Sequence, residues 1–312
     1  MTPARESGRV HIHEVVTRDG FQMERVFVPT EHKIELIDQL SSTGVAKIEV
    51  TSFTSPKAIP SLADAEAVMR GIRREPGVVY AALVPNVRGC ERALACEVDE
   101  INLVMSASES HNQANLRMSR AQSIAQFAPI VQTARGSRAV INASLSTAFG
   151  CPFEGALPET TILEMVEQFA ALGIPRVTLC DTVGMANPQQ VERLCREVSS
   201  RWPDLEVTAH FHNTRGMGLA NVLAALQAGI IRFDASLGGL GGCPYAPGAS
   251  GNICTEDLVH MLGEMGYATG VDLSALIEAA RALPELVGHA VPGYVLKAGP
   301  SSRVHPLPEH SK

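Results

Sequence analysis

The sequence lacks the features that would suit a membrane, a nucleic acid or a structural zinc ion. No apolar run approaches the roughly 20 residues that a membrane span needs. The formal net charge is −7, whereas nucleic-acid partners favour a basic surface. The seven cysteines include no C-x-x-C pair, which argues against a zinc ribbon and for reduced thiols. The opening residues contain no apolar stretch and so predict no secretory signal. We therefore expect a cytoplasmic protein without membrane or nucleic-acid partners.

Short β-rich runs alternate with longer amphipathic runs along most of the chain. The predicted strands are Val10–Val15, Ala46–Thr51, Val78–Val84, Glu100–Met105, Ala139–Leu145, Arg176–Cys180, Glu206–His212 and Ile230–Ala235. The predicted helices are Thr30–Ser41, Ser61–Arg73, Gly89–Cys96, Ser119–Arg135, Pro158–Ala171, Pro188–Ser200, Gly218–Gln227 and Thr255–Met265. Gly44, Gly173 and Gly229 each separate a helix from the next strand, where a left-handed residue is expected. Pro129 lies inside the fourth helix, which we expect to be kinked or split.

Eight strands alternating with eight helices predict a (β/α)8 TIM barrel. An open, doubly wound sheet is the alternative, but no glycine fingerprint of a dinucleotide fold follows the first strand. Pro–Gly and Gly–Pro pairs interrupt the pattern after residue 284. We predict one catalytic domain over residues 1–312, with the barrel at 9–285 and an irregular C-terminal extension at 286–312.

Polar residues collect where the predicted strands end, which is the edge that carries chemistry in such barrels. His210 and His212 lie two residues apart on the seventh strand, so both imidazoles point to one face and can reach one ion. The alternative is a pair of histidines on a solvated strand end. Asp19 follows the first strand and is either a third ligand or a turn cap. Asn252 could add an amide oxygen, and this mixed set favours Mg²⁺ or Mn²⁺ without excluding Zn²⁺ or Co²⁺.

Three further residues near the strand ends are candidates with open roles. Glu49 and Asp181 are carboxylates that need a partner to remain charged when buried. Each could form a salt link, for instance to Arg18, or orient a ligand histidine. Cys243 lies in a glycine-rich loop after the eighth strand. It is either a catalytic thiol above the barrel mouth or an idle one.

Several stretches of the sequence together identify a family. They are 17–22 (TRDGFQ), 48–53 (IEVTSF), 55–57 (SPK), 150–155 (GCPFEG), 181–184 (DTVG), 210–214 (HFHNT) and 238–252 (GGLGGCPYAPGASGN). They resemble the 3-hydroxy-3-methylglutaryl-CoA lyases, over about residues 9 to 290. The wider group includes related aldolases and synthases, and the cysteine loop narrows the resemblance towards the lyases.

The resemblance implies an acyl-CoA thioester substrate and a divalent cation, Mg²⁺ or Mn²⁺. The implied metal ligands are Asp19, His210, His212 and Asn252. We also expect a homo-oligomer, either a dimer or a tetramer.

The resemblance further implies catalytic roles for Arg18, Glu49, Asp181 and Cys243. Arg18 would stabilise an enolate, and the cysteine would lie on a loop that closes over the substrate. We expect Arg18, Gln22 and Ser52 to contact the substrate.

The sequence departs from the family pattern most seriously on the fifth strand. It reads Asn142-Ala143-Ser144 where human-type lyases carry arginine, glycine and tyrosine, and it has Thr17 and Asn213 where proline and aspartate are usual. Losing hydrogen-bond donors can change the substrate. The predicted reaction is retro-Claisen cleavage of a 3-hydroxyacyl-CoA, first of all 3-hydroxy-3-methylglutaryl-CoA to acetyl-CoA and acetoacetate. The alternatives are citramalyl-CoA or a longer branched 3-hydroxyglutaryl-CoA as substrate, a 4-hydroxy-2-oxoacid aldolase or condensing enzyme, and a non-catalytic binding protein.

Overall fold

The strands close into a parallel barrel in chain order. The computed structural model describes residues 8–242 and 251–306. The strands are β1 (His11–Glu14), β2 (Lys47–Ser52), β3 (Val79–Leu83), β4 (Glu100–Ser106), β5 (Val140–Ser146), β6 (Arg176–Asp181), β7 (Glu206–Phe211) and β8 (Arg232–Ala235). Each strand pairs in parallel with its neighbours, and β8 pairs with β1 to complete the ring. The predicted (β/α)8 barrel is confirmed, and every predicted strand overlaps an observed one.

Helices surround the barrel and connect its strands. They are α1 (Thr30–Ser41), α2 (Ala65–Gly71), α3 (Val87–Ala95), α4 (Glu109–Leu116), α5 (Arg120–Ala134), α6 (Glu159–Ala171), α7 (Pro188–Arg201), α8 (Gly218–Gln227), α9 (Thr255–Glu264), α10 (Leu273–Ala280), α11 (Leu283–Val287) and α12 (Tyr294–Ala298). All eight predicted helices are present, but α4 was not predicted. The short helices α10 and α11 were also not predicted, and α12 lies within the extension predicted at 286–312. Within the described ranges, no helix combines the length and apolar character required to cross a membrane.

The helix ends follow the glycine signals, and the proline inside the fourth predicted helix does not end that helix. Gly44, Gly173 and Gly229 all have positive φ, at 92°, 75° and 94°, as predicted for residues that end a helix. Pro129 does not split α5, which continues through it. The lost backbone hydrogen bond is offset by a capping box at Ser119 and by packing of the apolar face of the helix.

The apolar core lies between the barrel wall and the helices, while the barrel interior is polar. Ile37 of α1 and Phe169 of α6 are fully buried in this outer layer. Inside the N-terminal end of the barrel, Glu100 pairs with Lys47 and with Arg176, both at 2.7 Å. Branched apolar side chains usually fill this space. Here, charged side chains in ion pairs and hydrogen-bonded polar side chains occupy this space, and they continue up to the barrel mouth.

Candidate metal centre and active site

A single π-helical turn, Val16–Gly20, brings Arg18 and Asp19 to the barrel mouth directly after β1. The amide nitrogens of residues 18, 19 and 20 lie 3.2, 2.7 and 3.3 Å from the carbonyl oxygen of Val15. Because consecutive amides converge on one acceptor, the turn is tight, and the two adjacent charged side chains emerge together.

Glu14 fastens this turn to the loop after β8. Its carboxylate accepts hydrogen bonds from the amides of Val16 and Leu237, both at 2.9 Å, and from the hydroxyl of Thr255 at 2.7 Å. Burial raises the pKa of Glu14 to about 8, although these three donors favour the charged form. The start and the end of the barrel are therefore joined behind the site.

Asp19, His210 and His212 form a cluster that could hold a metal ion. One ligand atom from each lies within 4.8 Å of the others. The two histidine Nε2 atoms are 3.2 Å apart, and Nε2 of His212 lies 4.0 Å from Oδ2 of Asp19. The convergence predicted from the strand spacing is present.

The electrostatics of this cluster fit a cation. Although burial opposes ionisation, Arg18 and the two histidines lower the pKa of Asp19 to about 2, so its carboxylate is charged at neutral pH. Burial and the neighbouring His210 lower the pKa of His212 to about 3, which keeps that imidazole neutral. A charged carboxylate beside imidazole nitrogens suits a divalent cation.

Asn252 reaches the cluster with its amide nitrogen. Nδ2 donates to Oδ2 of Asp19 at 2.7 Å and to the carbonyl oxygens of Leu240 and Gly241 at 2.9 and 3.3 Å. In this arrangement Asn252 orients Asp19. Direct ligation through the amide oxygen, as the resemblance implies, would require the amide to turn over.

Arg18 is held between two carboxylates. Its Nε donates to Oε2 of Glu49 and its Nη1 to Oδ1 of Asp19, both at 2.5 Å. Burial disfavours the charge, but the two carboxylates outweigh it and raise the pKa of Arg18 above its usual value. The salt link between Glu49 and Arg18 that the sequence left open is confirmed. The guanidinium also lines the mouth cavity, where its remaining N–H groups can meet a substrate oxygen.

A chain of neutral side chains holds Glu49 from below. Nδ2 of Asn102 donates to Oε1 of Glu49 at 2.7 Å, and Oδ1 of Asn102 accepts from Asn142 at 2.9 Å and from Ser144 at 2.8 Å. Asn142 also donates to Thr178 at 3.0 Å. Asn142 and Ser144, which stand where human-type lyases carry arginine and tyrosine, are therefore engaged in internal hydrogen bonds, although Ser144 also lines the cavity.

The predicted substrate contacts Gln22 and Ser52 have different surroundings, and the structure adds one residue to the cavity lining. Gln22 lines the mouth cavity, and its Oε1 is buried with no hydrogen-bond partner in the described structure. The hydroxyl of Ser52 instead lies 2.8 Å from that of Thr54. His111 of α4, which the sequence did not single out, also lines the cavity, with Nδ1 2.6 Å from the Ser106 hydroxyl.

Asp181 lies outside the metal cluster. Cys180 and Thr182 line the cavity, so the residue between them faces the other side of the strand. Its Oδ1 accepts from the amide of Met185 at 2.7 Å, and burial raises the pKa of Asp181 to about 6. The other predicted catalytic residue, Cys243, falls outside the described residues.

Asp234 is the main residue that the sequence reasoning missed. It lies on β8 and contacts His210 and His13. Burial opposes its charge, but both histidines and Lys47 lower the pKa of Asp234 well below its usual range. The rule that flagged Glu49, a carboxylate near the end of a barrel strand, would have found Asp234 as well.

Comparison with known proteins is consistent with this geometry. The HMGL-like family model matches residues 9–283. The chain belongs to the HMGL-like family.

Relatives of this HMGL-like chain carry two named lyase activities. Hydroxymethylglutaryl-CoA lyase YngG of Bacillus subtilis is 47% identical over 294 residues, which are 94% of this chain and 98% of that protein. (R)-citramalyl-CoA lyase of Chloroflexus aurantiacus is 41% identical over 301 residues, covering 93% and 95% of the two chains. A solved structure of an HMG-CoA lyase from Acinetobacter baumannii, in complex with coenzyme A and 3-methylmalate, is 52% identical with a TM-score of 0.92, covering 96% and 98%. The family and the reaction class therefore agree, while the named substrates differ.

Proposed function

We propose that this protein is a carbon–carbon lyase that cleaves 3-hydroxy-3-methylglutaryl-CoA to acetyl-CoA and acetoacetate. One observation carries the proposal: Asp19, His210 and His212 converge beside the buried guanidinium of Arg18 in a chain of the HMGL-like family. A non-catalytic binding protein would have no need for this combination of groups.

We propose Mg²⁺ or Mn²⁺ as the bound ion, held by Asp19, His210 and His212. Asn252 orients Asp19 in the observed arrangement, and it is a further proposed ligand through its amide oxygen once the amide has turned over. A divalent cation bound here would supply Lewis acidity and lower the pKa of a substrate hydroxyl. Both histidines are buried at the barrel mouth and line its cavity.

Arg18 can stabilise the negative charge that develops when the carbon–carbon bond breaks. Once a base has taken the proton of the C3 hydroxyl, the C2–C3 bond breaks, C3 becomes the ketone of acetoacetate, and the electron pair forms the thioester enolate. The enolate oxygen then carries negative charge, and a fixed guanidinium can stabilise it. One such donor contributes about 3–4 kcal/mol to the transition state. Glu49 acts by holding Arg18 in place.

The two remaining predicted catalytic residues, Cys243 and Asp181, are assigned different roles. Cys243 is proposed as the acid that protonates the enolate carbon to give acetyl-CoA. Asp181 is proposed to organise the loop after β6 through its hydrogen bond to Met185. Gln22 is proposed to contact the substrate, because it lines the mouth cavity. Ser52 is proposed to act indirectly, through the hydroxyl of Thr54, which lies 2.8 Å from its own.

We further propose a single catalytic domain over residues 1–312, with the barrel at 9–285 and the extension at 286–312. Contacts between α12 and α9 support this, because Asp257 accepts from the amides of Tyr294 and Val295. A cytoplasmic location is supported by six described cysteines that form no disulfide. A homo-oligomer, dimer or tetramer, is the proposed assembly.

A second candidate substrate is citramalyl-CoA or a longer branched 3-hydroxyglutaryl-CoA. The Chloroflexus aurantiacus relative supports it, as do the small side chains of Ser144 and Ser146 in the cavity. An acyl group with different polar substituents could use the space and the hydroxyl groups there.

A substrate screen tests the proposal. The purified protein is assayed with each thioester and with a 4-hydroxy-2-oxoacid, in Mg²⁺, in Mn²⁺ and after exhaustive chelation, and acetoacetate and pyruvate are detected separately. We expect cation-dependent release of acetoacetate from 3-hydroxy-3-methylglutaryl-CoA.

The variants His212→Ala and His260→Ala form a matched pair. His260 lies on α9, where it accepts from the amide of Ser301 away from the cluster. We expect the first variant to lose activity and the second to keep it. Full activity after chelation, or equal activity in the two variants, would contradict the proposal.

A further inference from the structure

The carboxylate of Asp234 on β8 connects His210 of the candidate metal centre, on β7, to His13 on β1. Oδ2 of Asp234 lies 3.2 Å from Nδ1 of His210, and Oδ1 lies 3.1 Å from Nδ1 of His13. All three residues are at least nine-tenths buried. Each oxygen of Asp234 is therefore used by a different histidine.

The strand register produces this arrangement. Asp234 of β8 is the register partner of His13 on β1 and of His210 on β7. The three side chains form one row across the seam where the barrel closes. Their contacts follow from the register of the barrel, so the row is a rigid support.

The carboxylate makes the two histidines of the cluster unequal. Because Nδ1 of His210 faces an acceptor, the proton of the neutral ring belongs on that nitrogen, and Nε2 is left with its lone pair directed at the cluster. His212 has no such support, since its Nδ1 is buried without a hydrogen-bond partner among the residues described. The ring of His210 is therefore held in place by Asp234, whereas the ring of His212 lacks a comparable contact among the described residues.

We propose that Asp234 is a positioning residue for the metal site, which fixes the orientation and the tautomer of His210 and is itself held by His13. This inference rests on the proposed function, because it assumes that a cation binds beside His210. A purely structural role, in which Asp234 only joins β1 to β8, is the alternative. It predicts a change in stability without a change in cation affinity.

Manganese titration followed by electron paramagnetic resonance separates these roles. The Asp234→Asn variant is compared with Glu100→Gln, which removes another buried barrel carboxylate that contacts Lys47 and Arg176 but not His210. We expect the Kd for Mn²⁺ to rise about 10- to 100-fold in Asp234→Asn and to stay close to the unmodified value in Glu100→Gln. An unchanged Kd in Asp234→Asn, or an equal loss in Glu100→Gln, would overturn the inference. If the unmodified protein bound no Mn²⁺, the proposed function itself would fail.

A measurement on the unmodified protein keeps the inference testable if Asp234→Asn does not fold. Nitrogen-15 labelling of the histidines in the cation-free protein, at a pH where His210 is neutral, reports which ring nitrogen of His210 carries the proton. We expect the proton on Nδ1. A proton on Nε2 would refute the role assigned to Asp234.

Discussion

Replacing Arg18 with methionine separates its catalytic contribution from its structural one. The substitution removes a guanidinium that donates to Glu49 and Asp19 at 2.5 Å each, and it leaves both carboxylates without that partner. Breaking a buried ion pair in this way costs about 3–5 kcal/mol of stability. Losing a donor to the developing enolate lowers kcat by about 10²- to 10³-fold. We therefore expect both quantities to fall in Arg18→Met.

Adding Glu49→Gln distinguishes the two losses. In the double variant the buried charge of Glu49 is gone, and Asn102 can still donate to the amide oxygen of the glutamine. We expect the double variant to regain part of the lost free energy of unfolding, since contacting residues couple by about 0.5–3 kcal/mol. The kcat should stay low, because no cation is restored at the enolate oxygen.

Urea unfolding and steady-state kinetics on the four proteins of this cycle provide the test. Arg73→Met is the control, because that guanidinium is exposed and lies far from the site, and its ion pair with Asp38 is expected to contribute about 1 kcal/mol or less. Recovery of kcat along with stability in the double variant would refute a direct role for Arg18. An effect on KM alone would remove it from the transition state.

Three further substitutions probe the same centre. Asp19→Asn keeps the shape but removes the ligand charge, so the Kd for Mn²⁺ should rise; unchanged binding in a titration would place the ion elsewhere. Asn102→Leu removes the donor to Oε1 of Glu49 and should lower the free energy of urea unfolding by about 1–3 kcal/mol, and a change near zero would show that this bond is dispensable. Gly241→Ala places a Cβ 2.6 Å from Nδ2 of Asn252 and 3.0 Å from the carbonyl oxygen of Asp19, at a φ of 95°. It should weaken Mn²⁺ binding while circular dichroism shows an intact barrel, and normal affinity would argue against this close approach.

The barrel and much of its site could be predicted from the sequence because both follow short-range periodicities. Alternation of strands and helices gave the fold, and a spacing of two placed His210 and His212 on one face. The same rule, applied to β6, would have directed Asp181 away from the cavity, because Cys180 occupies the inward position. The acidic side chain of Asp181 suggests a catalytic role, but the inward–outward alternation of side chains along β6 does not favour one.

Other features depend on contacts that no local pattern contains. Asn102 binds Glu49 across the barrel interior, and Asp234 meets His13 only after the ring has closed. The side of the Asn252 amide that faces Asp19 depends on backbone carbonyls of the loop after β8. For α4, the N-cap at Ser108 was a readable signal, since its side chain accepts from the amide of His111.

The closure of β8 onto β1 makes the centre dependent on the complete ring. Asp19 and Asn252 are 233 positions apart, so no fragment that lacks either end can assemble the full set of groups. With the proposed cation bound, the folded ring gains about 2.7 kcal/mol at a free ion concentration a hundredfold above Kd. A cation bound for catalysis would then also stabilise the closed barrel. A shortage of that cation would then lower the melting temperature of the protein and speed its proteolysis, as well as slow its turnover of substrate.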